Sequence, residues 1–216
     1  PARLRWPKTT AAVDPGWVRW KYHNFQPFQT FKFAGIPRGN NIQEMIENTQ
    51  AYQARLVALA AESYRRQRYQ PVTALFHFMF VETWPSINWG VVDYLRQPKA
   101  GYYALQRAYQ PILPSIEPVT ARWRQGSPAT VRLWAINDTW AACEDCRLTW
   151  QVRQNGQMLA QGETLPPDAG QMVRELTVTP AGPQPVTIVY RIDNRRGKHV
   201  GANQHTEPVA AAQAGR

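Results

Sequence analysis

At 216 residues the chain has room for one large domain or two ordinary ones, and its 44% hydrophobic and 19% charged residues exclude a disordered polymer. The formal net charge of +10 admits an anionic partner, but the basic clusters Arg65-Arg66-Arg68 and Arg195-Arg196-Lys198 are short and no basic stripe interleaves with aromatics, so no specific nucleic-acid partner is expected. No apolar run reaches the ~18 residues of a transmembrane helix, so no membrane span is expected either.

The chain opens "PARLRWPKTT", which lacks the apolar core of a signal peptide. It begins with Pro rather than Met, which is read as a piece of something longer. Residues 1–41 follow neither the helical nor the strand period, and so long an irregular stretch is expected to cover something. A helix follows. Asn41 and Glu44 form a capping-box-like pair, and Ile42, Met45, Ile46, Thr49, Tyr52, Leu56 and Leu59 recur at helical spacing up to the basic run before Pro71. "VTALFHFMFV", Val72 to Val81, is continuous, β-branched and aromatic. It reads as a strand buried on both faces, although periodicity alone also admits a buried helix. "QPKAGYYALQRAYQPIL" predicts a second helix, with Pro98 in its first turn and Pro111 as its stop. Helix, buried strand, loop and helix make an α/β unit.

Beyond Pro114–Pro118 the period becomes two. "ATVRLWAIND", "CRLTWQVRQNG", "QMVRELTVTP" and "QPVTIVYRIDNRRG" alternate apolar and polar residues between Asn-Asp, Asn-Gly and Pro-Pro turns. The fold expected is therefore α/β followed by all-β, with an immunoglobulin-like β-sandwich over 114–216 that ends in a frayed tail. Cys143 and Cys146 lie between strand-like runs and lack the further ligands zinc requires. They read as a structural pair, either free thiols or a local disulfide, and no metal or cofactor is expected.

The chemistry concentrates where the buried run ends. In α/β sheets and barrels ligands sit at the carboxyl ends of strands, and Glu82, Trp84 and Trp89 lie there. A carboxylate at that place serves sugar hydroxyls or acid–base work, and an indole face complements the apolar face of a pyranose. The plainer reading is that Trp84 and Trp89 plug the strand–helix junction while Glu82 pairs with a cation. His77, within the apolar run, reads as a satisfied core histidine. His23, His199 and His205 are scattered without ligand spacing, and neither a GxSxG nor a phosphate loop is present.

Residues 40–113 resemble the end of the (β/α)8 barrel in glycoside hydrolase family 2, in its β-mannosidase and exo-β-glucosaminidase branch. That branch carries an eighth strand of the type Y-W-x-L-N-x-x-W-P, then a Trp, an Asp and a Tyr-Tyr or Tyr-Phe pair opening the last helix. This chain has "HFMFVETWPS", then Trp89, Asp93, Tyr102-Tyr103 and Pro111 in matching register. "WAINDTW" is similar to the entry strand of the sandwich that follows the family's barrel. The resemblance implies a barrel's C-terminal segment over 1–113 and a carbohydrate as partner. It places Phe78 where the family's strand Trp lines the sugar site, and Glu82 at the usual polar position. Phe78, Glu82, Trp84 and Trp89 are the substrate-binding residues it implies.

Family members retain anomeric configuration and need two carboxylates ~5–5.5 Å apart. The resemblance places both upstream of the long helix, and no strand ending in Glu precedes Asn41. This chain is therefore expected to carry no catalytic residue and to be inactive alone. A lone strand buried on both faces also lacks neighbours, so apolar surface around Phe76–Val81 is expected to lie open. The rival reading is a non-enzymatic carbohydrate-binding or interaction module.

Overall fold

The computed structural model describes residues 6–143, 145–164 and 171–212; the Pro-Pro turn at 166–167 and the last residues of the tail lie outside them. The chain forms two compact units that interleave in sequence, Pro1–Ala60 with Leu75–Gln106 and Ala61–Ala74 with Arg107–Arg216.

In the first unit the irregular N-terminal stretch is built on aromatic packing. Asp14 accepts from the amides of Thr9 and Gly16 at 2.9 and 2.8 Å, which starts a 3-10 turn at Pro15–Trp17. Helix α1, Val18–Tyr22, and a π-helical turn, Phe28–Phe33, follow. Trp17, Trp20, Phe25 and Met45 are buried together, and the rings of Trp17 and Trp20 meet edge to face 5.6 Å apart. This cluster is what the segment covers.

Helix α2 runs from Ile42 to Arg66. The cap forms with a one-residue shift: Asn41 Oδ1 accepts from the Glu44 amide at 3.0 Å as predicted, while Glu44 reaches past Asn41 to the Asn40 amide at 2.9 Å. Its apolar stripe is less covered than its period implies, with Ile42, Ile46, Leu56 and Leu59 exposed and Met45 buried. Helix α3 is Ala100–Ala108, shorter than expected because Pro98 and Lys99 remain outside it; the Ala100 amide donates to Gln50 Oε1 at 3.0 Å.

Val72–Val81 does not form the buried strand its composition predicts. Its regular pairing is limited to bridges of Val72 with Arg68 and Val81 with Val92, and Phe76, Phe78 and Phe80 are 89%, 71% and 46% exposed. The physical reason is edge satisfaction: a strand buried on both faces needs a ladder on each side and a layer above and below. The unit supplies neither along this run.

The second unit holds the sheets. β1 is Ile112–Pro118, β2 Trp123–Arg124, β3 Ala129–Asn137, β4 Arg147–Gln154, β5 Gln157–Thr164, β6 Gln171–Val178, β7 Val186–Asp193, β8 His199–Glu207 and β9 Val209–Ala210. An antiparallel sheet of order β1-β3-β6 faces another of order β5-β4-β7-β8, and the inward positions Val131, Leu133, Leu148, Val152, Ile188 and Ile192 share one core. The alternation read in β3, β4 and β7 therefore points inward as predicted. Asn155 and Gly156, with φ of 47° and 77°, make the tight turn between β4 and β5. Cys143 and Cys146 are joined as a local disulfide. Part of the tail expected to fray is ordered, because Val209–Ala210 pairs in parallel with Trp123–Arg124.

The end of α2 docks on these sheets through buried charge. Glu62 is 1% exposed. It accepts from Ser115 Oγ and Asn203 Nδ2, both at 2.7 Å, and faces His205 Nε2 at 3.4 Å. Burial opposes a charge on His205, but its contacts with Glu207 and Glu62 outweigh burial and raise its pKa to about 9. Burial likewise works against Glu62, yet His205, Ser115 and Asn203 hold its carboxyl below the usual range. The adjacent basic cluster is consumed in the same way. Arg65 and Arg68 both bind Asp138, and Arg66 donates to Ser115 Oγ at 2.8 Å and to the Ile116 carbonyl at 3.0 Å.

Candidate functional site

The loop from Glu82 to Tyr94 lies wholly in the first unit. Its conformation is fixed by the carboxylate at its start. Glu82 is 1% exposed. Oε2 accepts from Ser86 Oγ and Oε1 from the Gly90 amide, both at 2.7 Å, while Lys99 Nζ lies 3.5 Å from Oε1. Gly90 has to be glycine for this contact, since a Cβ there would fall 2.6 Å from Glu82 Oε1. From outside the loop, Gln53 on α2 donates to the carbonyls of Trp89 and Gly90 at 2.9 and 3.3 Å. Glu82 thus faces inward as the loop's internal brace, with a lysine as its cationic partner.

The aromatic residues are turned the other way. Trp84 is 40% exposed and Trp89 55%. Phe78 joins Trp89, with ring centroids 5.9 Å apart. Trp84 stands with two residues from the N-terminal segment, stacked against His23 at 5.7 Å with planes 20° apart and met edgewise by Tyr22 at 6.0 Å. Of the four residues singled out in the sequence, the structure brings Phe78 and Trp89 together, gives Trp84 different neighbours, and buries Glu82 beneath the loop.

His23 and Tyr22 were missed because nothing local marks them. The only cue was the aromatic density of "WVRWKYHNFQPF", and their partner lies some sixty positions on, with His23 Nδ1 reaching the Pro85 carbonyl at 2.5 Å. His77 departs from the expected satisfied core residue: it is half-buried and its Nε2 is buried without a hydrogen-bond partner among the described residues. Burial depresses its pKa, against a hydrogen bond with the Trp89 backbone. Beside the loop lies a cavity of about 570 Å³, whose lining includes Gln29, Gln53, His77, Asn88, Trp89 and Lys99 and no carboxylate. Among the described residues no three His, Cys, Asp or Glu side chains gather as a metal site would require, and no helix is long and apolar enough to cross a membrane.

The arrangement offers apolar ring faces on a braced loop beside amide groups. That can grip a polyhydroxylated ligand through stacking and neutral hydrogen bonds. Glu82 is occupied as the loop's brace, and the loop's other carboxylate, Asp93, accepts from the Gln97 amide at 2.8 Å through Oδ1.

No family model matches the chain. Over 87 residues it is 29% identical to β-mannosidase B of Aspergillus niger, an alignment covering 38% of this chain and 10% of that protein. β-Mannosidase B of Aspergillus terreus matches at the same identity and extent, so the chain spans about a tenth of the length of these curated relatives. Among solved structures, β-D-mannosidase from Dictyoglomus thermophilum superposes with a TM-score of 0.66 at 17% identity, covering 88% of this chain and 23% of that one. The exo-chitosanase CsxA of Amycolatopsis orientalis superposes with a TM-score of 0.60 at 18% identity, covering 83% and 20%. At such identities the structural likeness establishes a shared fold.

Proposed function

We propose, from its resemblance to the C-terminal portion of the β-mannosidase and exo-β-glucosaminidase branch of glycoside hydrolase family 2, that the chain is part of a retaining β-glycosidase acting on terminal β-mannosides or β-glucosaminides. Residues 1–113 supply the end of a (β/α)8 barrel and the rim of its sugar site, and 114–216 an immunoglobulin-like sandwich. The observation that carries this reading is the braced loop. Glu82 and Gly90 lock a turn that holds Trp84 and Trp89 outward, as the rim of a barrel's ligand site would require.

In this reading Trp84, Trp89 and Phe78 contact the sugar, and Glu82 serves by fixing the loop that presents them. The two catalytic carboxylates belong to other parts of the parent, which splits the glycosidic bond through a covalent glycosyl intermediate. The test is the reading frame upstream of Pro1. It is expected to continue for several hundred codons and to encode a strand ending in Glu shortly before residue 1. A start codon immediately upstream, or turnover of an aryl β-mannoside by the purified chain, overturns the proposal.

A second reading is a non-enzymatic sugar-binding module. It is favoured by one observation, that Ser86, Gly90 and Lys99 satisfy the buried Glu82 carboxylate without any further part of a barrel. A monomeric, stably folded chain with no upstream frame selects it.

A further inference from the structure

The N-terminal segment brings to the loop a polar group that the sugar-site residues otherwise lack. We infer that His23 contacts the ligand directly: its Nε2 accepts a hydrogen bond from a hydroxyl of a neutral pyranose seated against Trp84. The inference rests on the sugar-site reading of Trp84 given above.

The tautomer follows from geometry. A carbonyl oxygen only accepts, so the 2.5 Å approach of His23 Nδ1 to the Pro85 carbonyl places a ring proton on Nδ1. In the neutral imidazole Nε2 then carries a lone pair, and no described residue donates to it. The ring is held in two further ways. It stacks on Trp84 while Tyr22 stands across it at 88°, and the backbone behind it is tied to the loop by the Ile87 amide, which donates to the His23 carbonyl at 2.6 Å. The acceptor is therefore fixed relative to the exposed part of the Trp84 indole. Preorganised polar groups of this kind give a mostly apolar site its orientation preference.

The chemistry also selects a ligand class. An acceptor beside an indole suits a sugar that stacks its C–H face and donates a hydroxyl. A protonated amino sugar is served best by a free carboxylate, and the one beside Trp84 in sequence, Glu82, is buried and bound to Ser86 and Gly90. A neutral hexoside of the mannoside type fits this shelf better than a protonated glucosaminide.

The experiment titrates the full chain with methyl β-mannoside and methyl β-glucosaminide, read by ligand-observed NMR. The mannoside is expected to bind at least about threefold more tightly, and Trp84→Ala to abolish binding. His23→Asn can still donate to Pro85 but loses the Nε2 acceptor, and is expected to weaken binding by about threefold to tenfold. His23→Gln, which reaches the Nε2 position, is expected to retain more affinity than His23→Asn. The reverse order of the two variants makes the ring a tether only and overturns the inference. Binding unchanged in both variants but lost in Trp84→Ala overturns it while leaving the sugar site standing. In the unmutated chain the His23 ring-nitrogen resonance is expected to shift on saturation with mannoside, and a fixed resonance refutes the contact without any substitution. Absent binding of either sugar, or preference for the glucosaminide, also overturns it; the parentage of the chain is decided separately by the upstream frame.

Discussion

The two units are made from one composition and end in different states. In the second, inward residues of facing sheets find each other, and Val131, Leu133, Leu148, Val152 and Ile188 all reach 0% exposure. In the first, an equally apolar run leaves three phenylalanines open. Each such ring forgoes on the order of 2 kcal/mol of burial. The difference teaches that hydrophobicity specifies what must be covered, while the number of elements within the chain decides whether it is. The second unit closes on itself and is rigid by packing. The first is ordered by aromatic clusters and by one braced loop.

The comparison is sharpened most by attacking the charge inside the second unit. Glu62→Ala leaves the His205 cation without its partner and strips acceptors from Ser115 and Asn203, and is expected to cost about 3–5 kcal/mol. Urea unfolding followed by the far-ultraviolet β signal checks this, and a loss below 1 kcal/mol refutes the buried clamp. Next is its pH dependence. The folded pKa of His205, about 9, lies above its unfolded value, so its contribution is complete below about pH 6.5 and fades as pH rises through 9. Stability of the second unit should fall by on the order of 2 kcal/mol between pH 7 and pH 10, and His205→Gln should flatten that slope.

In the first unit Gly90→Ala forces Glu82 aside and is expected to cost about 1–2 kcal/mol. The loop near Trp84 and Trp89 should loosen by hydrogen exchange while the sheets stay protected; equal loss of protection in both contradicts the separation of the units. The smallest effect on stability belongs to Phe76→Ser with Phe78→Ser, near zero because those rings are exposed, with self-association at high concentration reduced. Sedimentation checks it, and an unmutated chain that stays monomeric at every concentration removes the reason for the double change.

What the sequence disclosed follows the same division. β3, β4 and β7 were legible because each alternates and each inward residue is apolar. β8, "HVGANQHTE", was not, because its inward positions include Asn203 and Glu207, which serve the buried clamp rather than the apolar core. β5 escaped notice as a sheet-edge strand with half of its residues exposed and the others only partly buried. Val72–Val81 carried a strong strand signature that the unit cannot satisfy, since propensity states a preference and not a partner. At the candidate site the aromatic and acidic residues were legible as a group. The inward turn of Glu82 was not, because it depends on Gly90 and Ser86 approaching in space. Nor was His23, whose partner is distant in sequence.

The internal use of Arg65, Arg66 and Arg68 has a consequence for polyanions. Arg65 and Arg68 share one aspartate, and Arg66 is spent on a hydroxyl and a carbonyl. Guanidinium groups so engaged displace no condensed counterions from a nucleic acid. Despite the formal +10, retention on DNA should therefore weaken with added salt along a log–log slope of only about one or two, that of scattered surface cations meeting phosphates at random.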